Sequence, residues 1–285
     1  MNTLYRLSKY ISAAALLSIF YSSASAQFNL QIPGLGNIGK LLDTTTKTFK
    51  EVDEPEEIRI GQEFASILLG AKPLEPDQRK QRYVNALGRW LALQTERPDL
   101  PWTFAVLDDP SFNAFATPGG YIFVTRGLLE RMHNEAELAG VLSHEIGHVL
   151  RKHHLHAVQK NSAFSAAGDY FTSSTGGNAQ VKSAVSGAIR NMLVKGLDKD
   201  DEYEADRIGV VIAARAGYDA YGLPSVLQTL QKQSSQDNNF TLLFKTHPLP
   251  ADRLTQLDQL MGQQFDTLPG ISGKTIEERL KEFGR

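Results

Sequence analysis

The sequence predicts an α+β domain, mainly helical with a small antiparallel-edged sheet. Three observations carry that prediction. Residues from Pro55 to Leu68 and from Pro76 to Gln94 repeat apolar side chains at helical spacing. The stretch from Trp102 to Thr125 divides into short β-type runs separated by turn residues. Helical periodicity then resumes at Asn134. Of 285 residues, 41% are hydrophobic and 22% charged, a balance that lets a chain of this length bury a sizeable core. A formal net charge of −2 provides no basic footprint, so nucleic acid is not an expected partner.

The first 26 residues stand apart. Arg6 and Lys9 precede a short apolar stretch from Tyr10 to Tyr21, and Ala24-Ser25-Ala26 supplies small residues before Gln27. This is the order of a secretory signal peptide cleaved after Ala26. The apolar core is shorter than the roughly 20 residues a spanning helix needs, and no later stretch could cross a bilayer. The sequence contains no cysteine, which excludes a lipoprotein anchor, a thiol nucleophile and any Cys-ligated zinc site. An exported protein without disulfides depends on core packing. The expected product is soluble and periplasmic.

Residues 27–50, with Gly, Pro and Thr44-Thr45-Thr46, read as a poorly ordered lead-in to a domain over 51–265. Pro55 suits a first helical turn, followed by Ile58, Phe64, Ile67 and Leu68 on one face. The second helix should bury Tyr83, Leu87, Trp90 and Leu91. Trp102–Leu107, Phe112–Ala116 and Tyr121–Thr125 are the expected strands, punctuated by Asp108-Asp109-Pro110 and Pro118-Gly119-Gly120. Asn134, with Glu137 three residues on, resembles a capping box for a helix reaching about His156. Residues 161–179, rich in Ser, Gly, Ala and Thr, read as a mobile surface segment. A helix is expected from Val181 to Ala216, broken near Gly196 and stopped by Gly217. Shorter helices near 222–234 and 250–262 flank a polar loop carrying His247, and residues 266–285 form a peripheral C-terminal extension.

The chemistry concentrates on His144-Glu145-Ile146-Gly147-His148. Two histidines four apart on a helix differ by only about 40° around its axis, so both rings can reach one ion. Glu145 can approach a metal-bound water from the side without ligating. The pattern supplies two neutral nitrogen ligands and a general base, as in a zinc hydrolase. Leu138, Val141, Leu142, Val149 and Leu150 mark this helix as apolar and central, where unpaired polar groups are costly. His153, His154 and His156 are expected to lie off the His144/His148 face as solvated residues at the helix end, where positive charge suits the dipole. Catalytic zinc takes a third protein ligand and keeps one position open. Glu202 and Asp206, also four apart, share a face, while Glu204 points almost the opposite way. Glu202 can be that ligand, with Asp206 one turn on holding a histidine in its tautomer. On spacing alone, an acidic solvated helix start is an equally good reading.

His-Glu-x-x-His followed by Glu-x-x-x-Asp resembles the HtpX and CaaX-prenyl-protease family of zinc metallopeptidases, the gluzincins of metallopeptidase family forty-eight. Asn113-Ala114-Phe115-Ala116 with Pro118-Gly119-Gly120 is similar to its edge-strand segment. The run from Glu202 to Gly209 is similar to its third-ligand helix, and Thr246-His247-Pro248 with Arg253 to its C-terminal histidine loop. HtpX-type members have transmembrane helices that this sequence lacks, so the likeness is to the periplasmic BepA/LoiP-like branch. The resemblance implies a zincin-type metalloendopeptidase with one Zn2+ per chain on His144, His148 and Glu202, and Glu145 as general base. It implies that His247 and Arg253 stabilise the oxyanion, or that His247 caps the zinc in a resting state. Substrate would bind extended beside Asn113 to Ala116. Unfolded or misassembled envelope polypeptides are the implied substrates, and outer-membrane assembly machinery a candidate partner. Two other readings stay open: a zinc-stabilised chaperone that binds without cutting, and a zinc hydrolase acting on a non-peptide bond.

Overall fold

The computed structural model describes residues 52–160, 187, 196–233, 240, 243, 247 and 249–283. The expected signal peptide, the lead-in over 27–50, the segment 161–179, residues 181–186 and 188–195 of the helix expected from Val181, and Thr246 and Pro248 of the histidine loop lie outside these.

Helix α1 (Glu54–Ala71) starts where Asp53 accepts from the Glu56 backbone N–H, with Pro55 in its first turn and Ile60, Phe64 and Leu68 buried. Helix α2 (Gln78–Ala92) is capped in the same way by Asp77 and buries Tyr83, Val84, Leu87 and Leu91. Trp90, expected on that buried face, is instead 49% exposed. It sits at the rim of the face, where its indole Nε1 donates to the Ala216 carbonyl at 3.2 Å. A side chain with an apolar body and one polar handle is served by such a position.

Strands β1 (Thr103–Leu107), β2 (Ala114–Thr117) and β3 (Tyr121–Thr125) form a mixed sheet in the order β1-β3-β2. β1 runs parallel to β3, with Thr103 opposite Tyr121, while β2 is the antiparallel edge, with Ala114 opposite Val124. A short turn over Pro118–Gly120 joins β2 to β3, and Gly119 adopts φ 73°, a conformation glycine reaches without a steric penalty. The Gly119 N–H donates to Glu57 Oε1 at 3.2 Å, which ties the turn to α1. Short helix α3 (Arg126–Leu129) follows, capped by Thr125.

Helix α4 (Glu135–Leu150) is the centre of the molecule, with every residue buried. It packs against α2, the β2 edge, α6 (Lys199–Arg215) and α7 (Gly222–Gln231). Asn134 caps it by accepting from the Glu137 N–H at 3.0 Å. The reciprocal capping-box bond goes one residue further out, because Glu137 Oε2 accepts from His133 N at 2.8 Å. The helix stops at Leu150 instead of continuing to His156. Lys152 takes the left-handed conformation, φ 55°, and α5 (His153–Lys160) departs in a new direction. That conformation costs a non-glycine residue about 1–2 kcal/mol. Lys152 Nζ offsets it by pairing with buried Glu57 and the Val52 carbonyl, each at 3.1 Å.

Gly196, at φ 77°, precedes α6, and Gly217, at φ 91°, follows it as the expected stop. Helix α8 (Pro250–Met261) packs on α6 and α7. Residues beyond α8 return to the core: Ile271 pairs with Tyr218, and α9 (Ile276–Glu282) buries Ile276 and packs on α2. Arg279 Nη2 bonds Glu135 Oε2 at 2.7 Å, fastening this segment to the start of α4.

Candidate active site

Helices α4 and α6 meet through residues without bulk. A Cβ on Gly147 would lie 3.2 Å from the Ala205 Cα, so the two backbones are in near contact. This contact lowers Glu202 and Asp206 of α6 onto the His144/His148 face of α4. His144 Nε2 and His148 Nε2 are 3.1 Å apart. Glu202 Oε2 is 3.6 Å from His144 Nε2, and Glu202 Oε1 is 3.5 Å from His148 Nε2. His247 joins them, its Nδ1 2.6 Å from Glu202 Oε2. One donor atom from each of these four residues lies within 4.8 Å of all the others.

The donors fit a zinc ion. Ligand atoms about 2.0–2.2 Å from a tetrahedral ion stand roughly 3.3–3.6 Å from each other, close to the spacing seen among His144, His148 and Glu202. Glu202 Oε1 is buried without a hydrogen-bond partner, an expense that a cation would remove. The two Nε2 atoms face each other with their lone pairs available only if both rings are protonated at Nδ1. His144 meets that condition directly: its Nδ1 lies 2.9 Å from Asp206 Oδ1 and must donate to that carboxylate. Arg253, from α8, holds Asp206 in place through Nε at 2.8 Å and Nη2 at 2.5 Å. Its Nη1 is 3.9 Å from Glu202 Oε2.

Burial and charge set the protonation states. Burial, with the other histidines around it, drives His148 well below the usual imidazole range and keeps it neutral. Burial pushes the Glu202 carboxyl up, but His247, His144 and Arg253 outweigh it and hold it low. Asp206 is held low in the same balance, with Arg253 the chief opponent of burial. Burial lowers the His247 imidazole, but the Glu202 carboxylate more than reverses this, so the net shift is upward. Glu145, 3% exposed, is raised by desolvation.

The predicted site residues are thus gathered from four separate parts of the chain. Asn113, Ala114, Phe115 and Ala116 lie nearby and are all buried, on or beside edge strand β2. An apolar pocket beside Glu145 and His144 is lined by Phe112, Val141, Leu223, Val226 and Leu227. The expectation for His153 is corrected: it is buried, at 3% exposure, and its Nδ1 lies 2.9 Å from His148 Nδ1. The break at Lys152 turns it beneath α4, where continuous helical rotation would have sent it outward. Glu204, placed away from Glu202 by helix geometry, reaches this same histidine, with Oε2 3.2 Å from His153 Nε2. His154 is partly buried and desolvation lowers its imidazole to about 3, so it too is not a solvated cation.

A buried His-Glu-x-x-His helix crossed by an acidic third donor defines a metal-dependent hydrolase site. Comparison with known proteins narrows the class. Residues 78–261 match the model of peptidase family M48, so the chain belongs to that family of zinc-dependent metalloproteases. It is 30% identical over 223 residues to the beta-barrel assembly-enhancing protease of Escherichia coli K12, covering 75% of this chain and 45% of the relative. The protein of the same name from Yersinia pestis is 29% identical over 252 residues, 85% of this chain and 51% of the relative. Mitochondrial metalloendopeptidase OMA1 of Schizosaccharomyces pombe is 26% identical over 178 residues, 62% of this chain and 52% of the relative. The chain therefore spans about half the length of these relatives.

Proposed function

We propose that this metalloprotease hydrolyses peptide bonds in unfolded or misassembled proteins of the cell envelope. In this reading His144, His148 and Glu202 hold the zinc, and Glu145 is the general base. The observation that carries it is the convergence of two neutral imidazoles and a carboxylate at zinc-ligand spacing, with a desolvated carboxylate one residue from a ligand. When bound, zinc supplies a Lewis acid that polarises the scissile carbonyl and acidifies water. Glu145 takes the proton of the attacking water and returns it to the leaving amine. Asp206, held by Arg253, keeps His144 in the tautomer that presents Nε2. His247 occupies the fourth place in the donor cluster at rest and swings out when substrate enters. Its imidazolium then faces the developing oxyanion. Arg253 supports the site through Asp206.

Two features favour unfolded polypeptide as substrate. β2 has β3 on one side, and no strand among the described residues pairs with its other side. An extended chain added there beside Asn113–Ala116 is held by backbone bonds with little demand on sequence. The apolar pocket beside Glu145 accepts a large apolar side chain next to the scissile bond, a group that folded proteins keep inside. The envelope setting and a link to outer-membrane assembly machinery rest on the signal peptide expected to be cleaved after Ala26 and on the relatives named for beta-barrel assembly.

Glu145→Gln tests the mechanism. The change keeps size and hydrogen bonding but removes the base, so casein hydrolysis should fall by about 10² to 10⁴ with zinc content and melting unchanged. Equal cleavage by both proteins would remove Glu145 from the mechanism. Binding of unfolded protein without cleavage by either would establish the chaperone reading.

A further inference from the structure

His144 and His148 must present the same nitrogen, Nε2, to the same ion, yet they are oriented by different means. Asp206 orients His144 directly. No carboxylate is paired with His148 Nδ1 among the described residues; the atom in contact with it is His153 Nδ1, at 2.9 Å. One of these two nitrogens must carry the proton between them. The far side of His153 decides which. Its Nε2 lies 3.2 Å from Glu204 Oε2 and 3.8 Å from Asp201 Oδ1, both acceptors when ionised. Arg151 Nε, 3.1 Å from Glu204 Oε1, keeps that carboxylate paired and in place. A neutral His153 ring then carries its proton at Nε2, where both carboxylates lie, leaving Nδ1 as a bare acceptor. His148 Nδ1 must then be the donor, and its Nε2 lone pair is turned toward Glu202.

We propose that His153 is a positioning residue for His148, relaying the Glu204 carboxylate through one imidazole to fix the other as the Nδ1–H tautomer. The proposal rests on His148 being a zinc ligand. It gives the two histidines support from two carboxylates of α6, two positions apart in sequence: Asp206 acting directly, and Glu204 acting through a second ring. The left-handed turn at Lys152 is what returns His153 to this position.

Three variants of the full chain separate positioning from packing. His153→Leu keeps apolar bulk but removes the acceptor. His153→Asn loses the reach to Glu204 yet places an amide oxygen near the site of the lost Nδ1. Zinc affinity, measured by competition with a chromophoric chelator, should fall about 10–100-fold in His153→Leu. It should return to within a few-fold of wild type in His153→Asn, while the zinc-free proteins melt alike. Equal affinities for the Leu and Asn variants would overturn the proposal. His148→Ala is the control: if it binds zinc normally, the ligand reading itself fails, whereas loss there with no loss in His153→Leu rejects only the relay. Should His153→Leu not fold, nitrogen-15 spectra of the wild-type histidine rings decide. His148 protonated at Nδ1 and His153 at Nε2 is the expected result, and the reverse pairing rejects the relay.

Discussion

Gly209 of α6 lies directly against His144 of α4: a Cβ there would be 2.8 Å from the His144 backbone nitrogen and 3.0 Å from its Cα. This approach sets the distance from the histidines to Glu202 and Asp206, which precede Gly209 on the same helix. Gly209→Ala should push α6 outward. A loss of about 1–3 kcal/mol in stability is expected from overpacking, read by denaturant titration. Zinc affinity should fall as well, because the third donor withdraws from the other two. A destabilised variant with normal zinc affinity would show that helix separation does not control the ligand spacing.

Removing zinc should cost stability as well as activity. Without a cation, Glu202 Oε1 is buried with no hydrogen-bond partner. At free zinc 1,000 times its dissociation constant, binding contributes about 4 kcal/mol. Dialysis against a chelator should therefore lower the melting temperature, and added zinc should restore it. In Glu202→Ala the melting temperature should be nearly insensitive to zinc. A zinc-dependent shift of unchanged size in that variant would place the third ligand elsewhere.

The buried Glu57 cluster predicts a pH dependence with a definite sign. Burial raises the Glu57 carboxyl, but Arg97 and Lys152 more than compensate, so its net shift is downward. A carboxyl lowered on folding stabilises the protein fully above its unfolded value, near 4.3, and loses that contribution as pH falls through the lower folded value. Glu57→Gln should cost about 3 kcal/mol at pH 7, since it leaves Arg97 and Lys152 without their buried partner. The gap between wild type and variant should narrow below pH 4. A gap that stays constant from pH 7 to pH 3 would mean the charge of Glu57 is not what matters.

The apolar pocket predicts where cleavage falls. Sites cut in an unfolded substrate should be enriched in large apolar residues at one position flanking the scissile bond. Leu227→Trp, which fills the pocket from α7, should shift that position toward small residues, with total turnover of an Ala-rich peptide preserved. Mass-spectrometric mapping of casein fragments reads both. An unbiased flanking position in the wild type would exclude the pocket as a subsite.

The sequence was most informative where local periodicity and capping settled the matter. Asn134 caps its helix as its spacing to Glu137 indicates, and the four-residue spacings of His144 with His148 and Glu202 with Asp206 place donors on common faces. Two features escaped it. Trp90 lies at the edge of an apolar stripe, where its position depends on a partner carbonyl far along the chain. The histidines after α4 were misplaced because a single left-handed residue redirects the chain. That residue is a lysine, with no preference of its own for the conformation. The cause is a long-range pair between Lys152 and Glu57, which no local pattern announces. A buried Glu57 one turn into α1 was the one available signal, and it reads like any acidic first turn.

The left-to-right arrangement of the site along the chain has a consequence for biosynthesis. The helix with His144, Glu145 and His148 is made well before Glu202, and Arg253 is made later still. Chains fold from the N-terminus as they emerge. A nascent chain therefore passes through a stage that holds His144, Glu145 and His148 but lacks Glu202 and Asp206. Asp206, once made, has His144 as a partner but lacks its Arg253 guanidinium until α8 docks. On the proposed reading, the donor set is complete only once α6 and α8 have closed on α4.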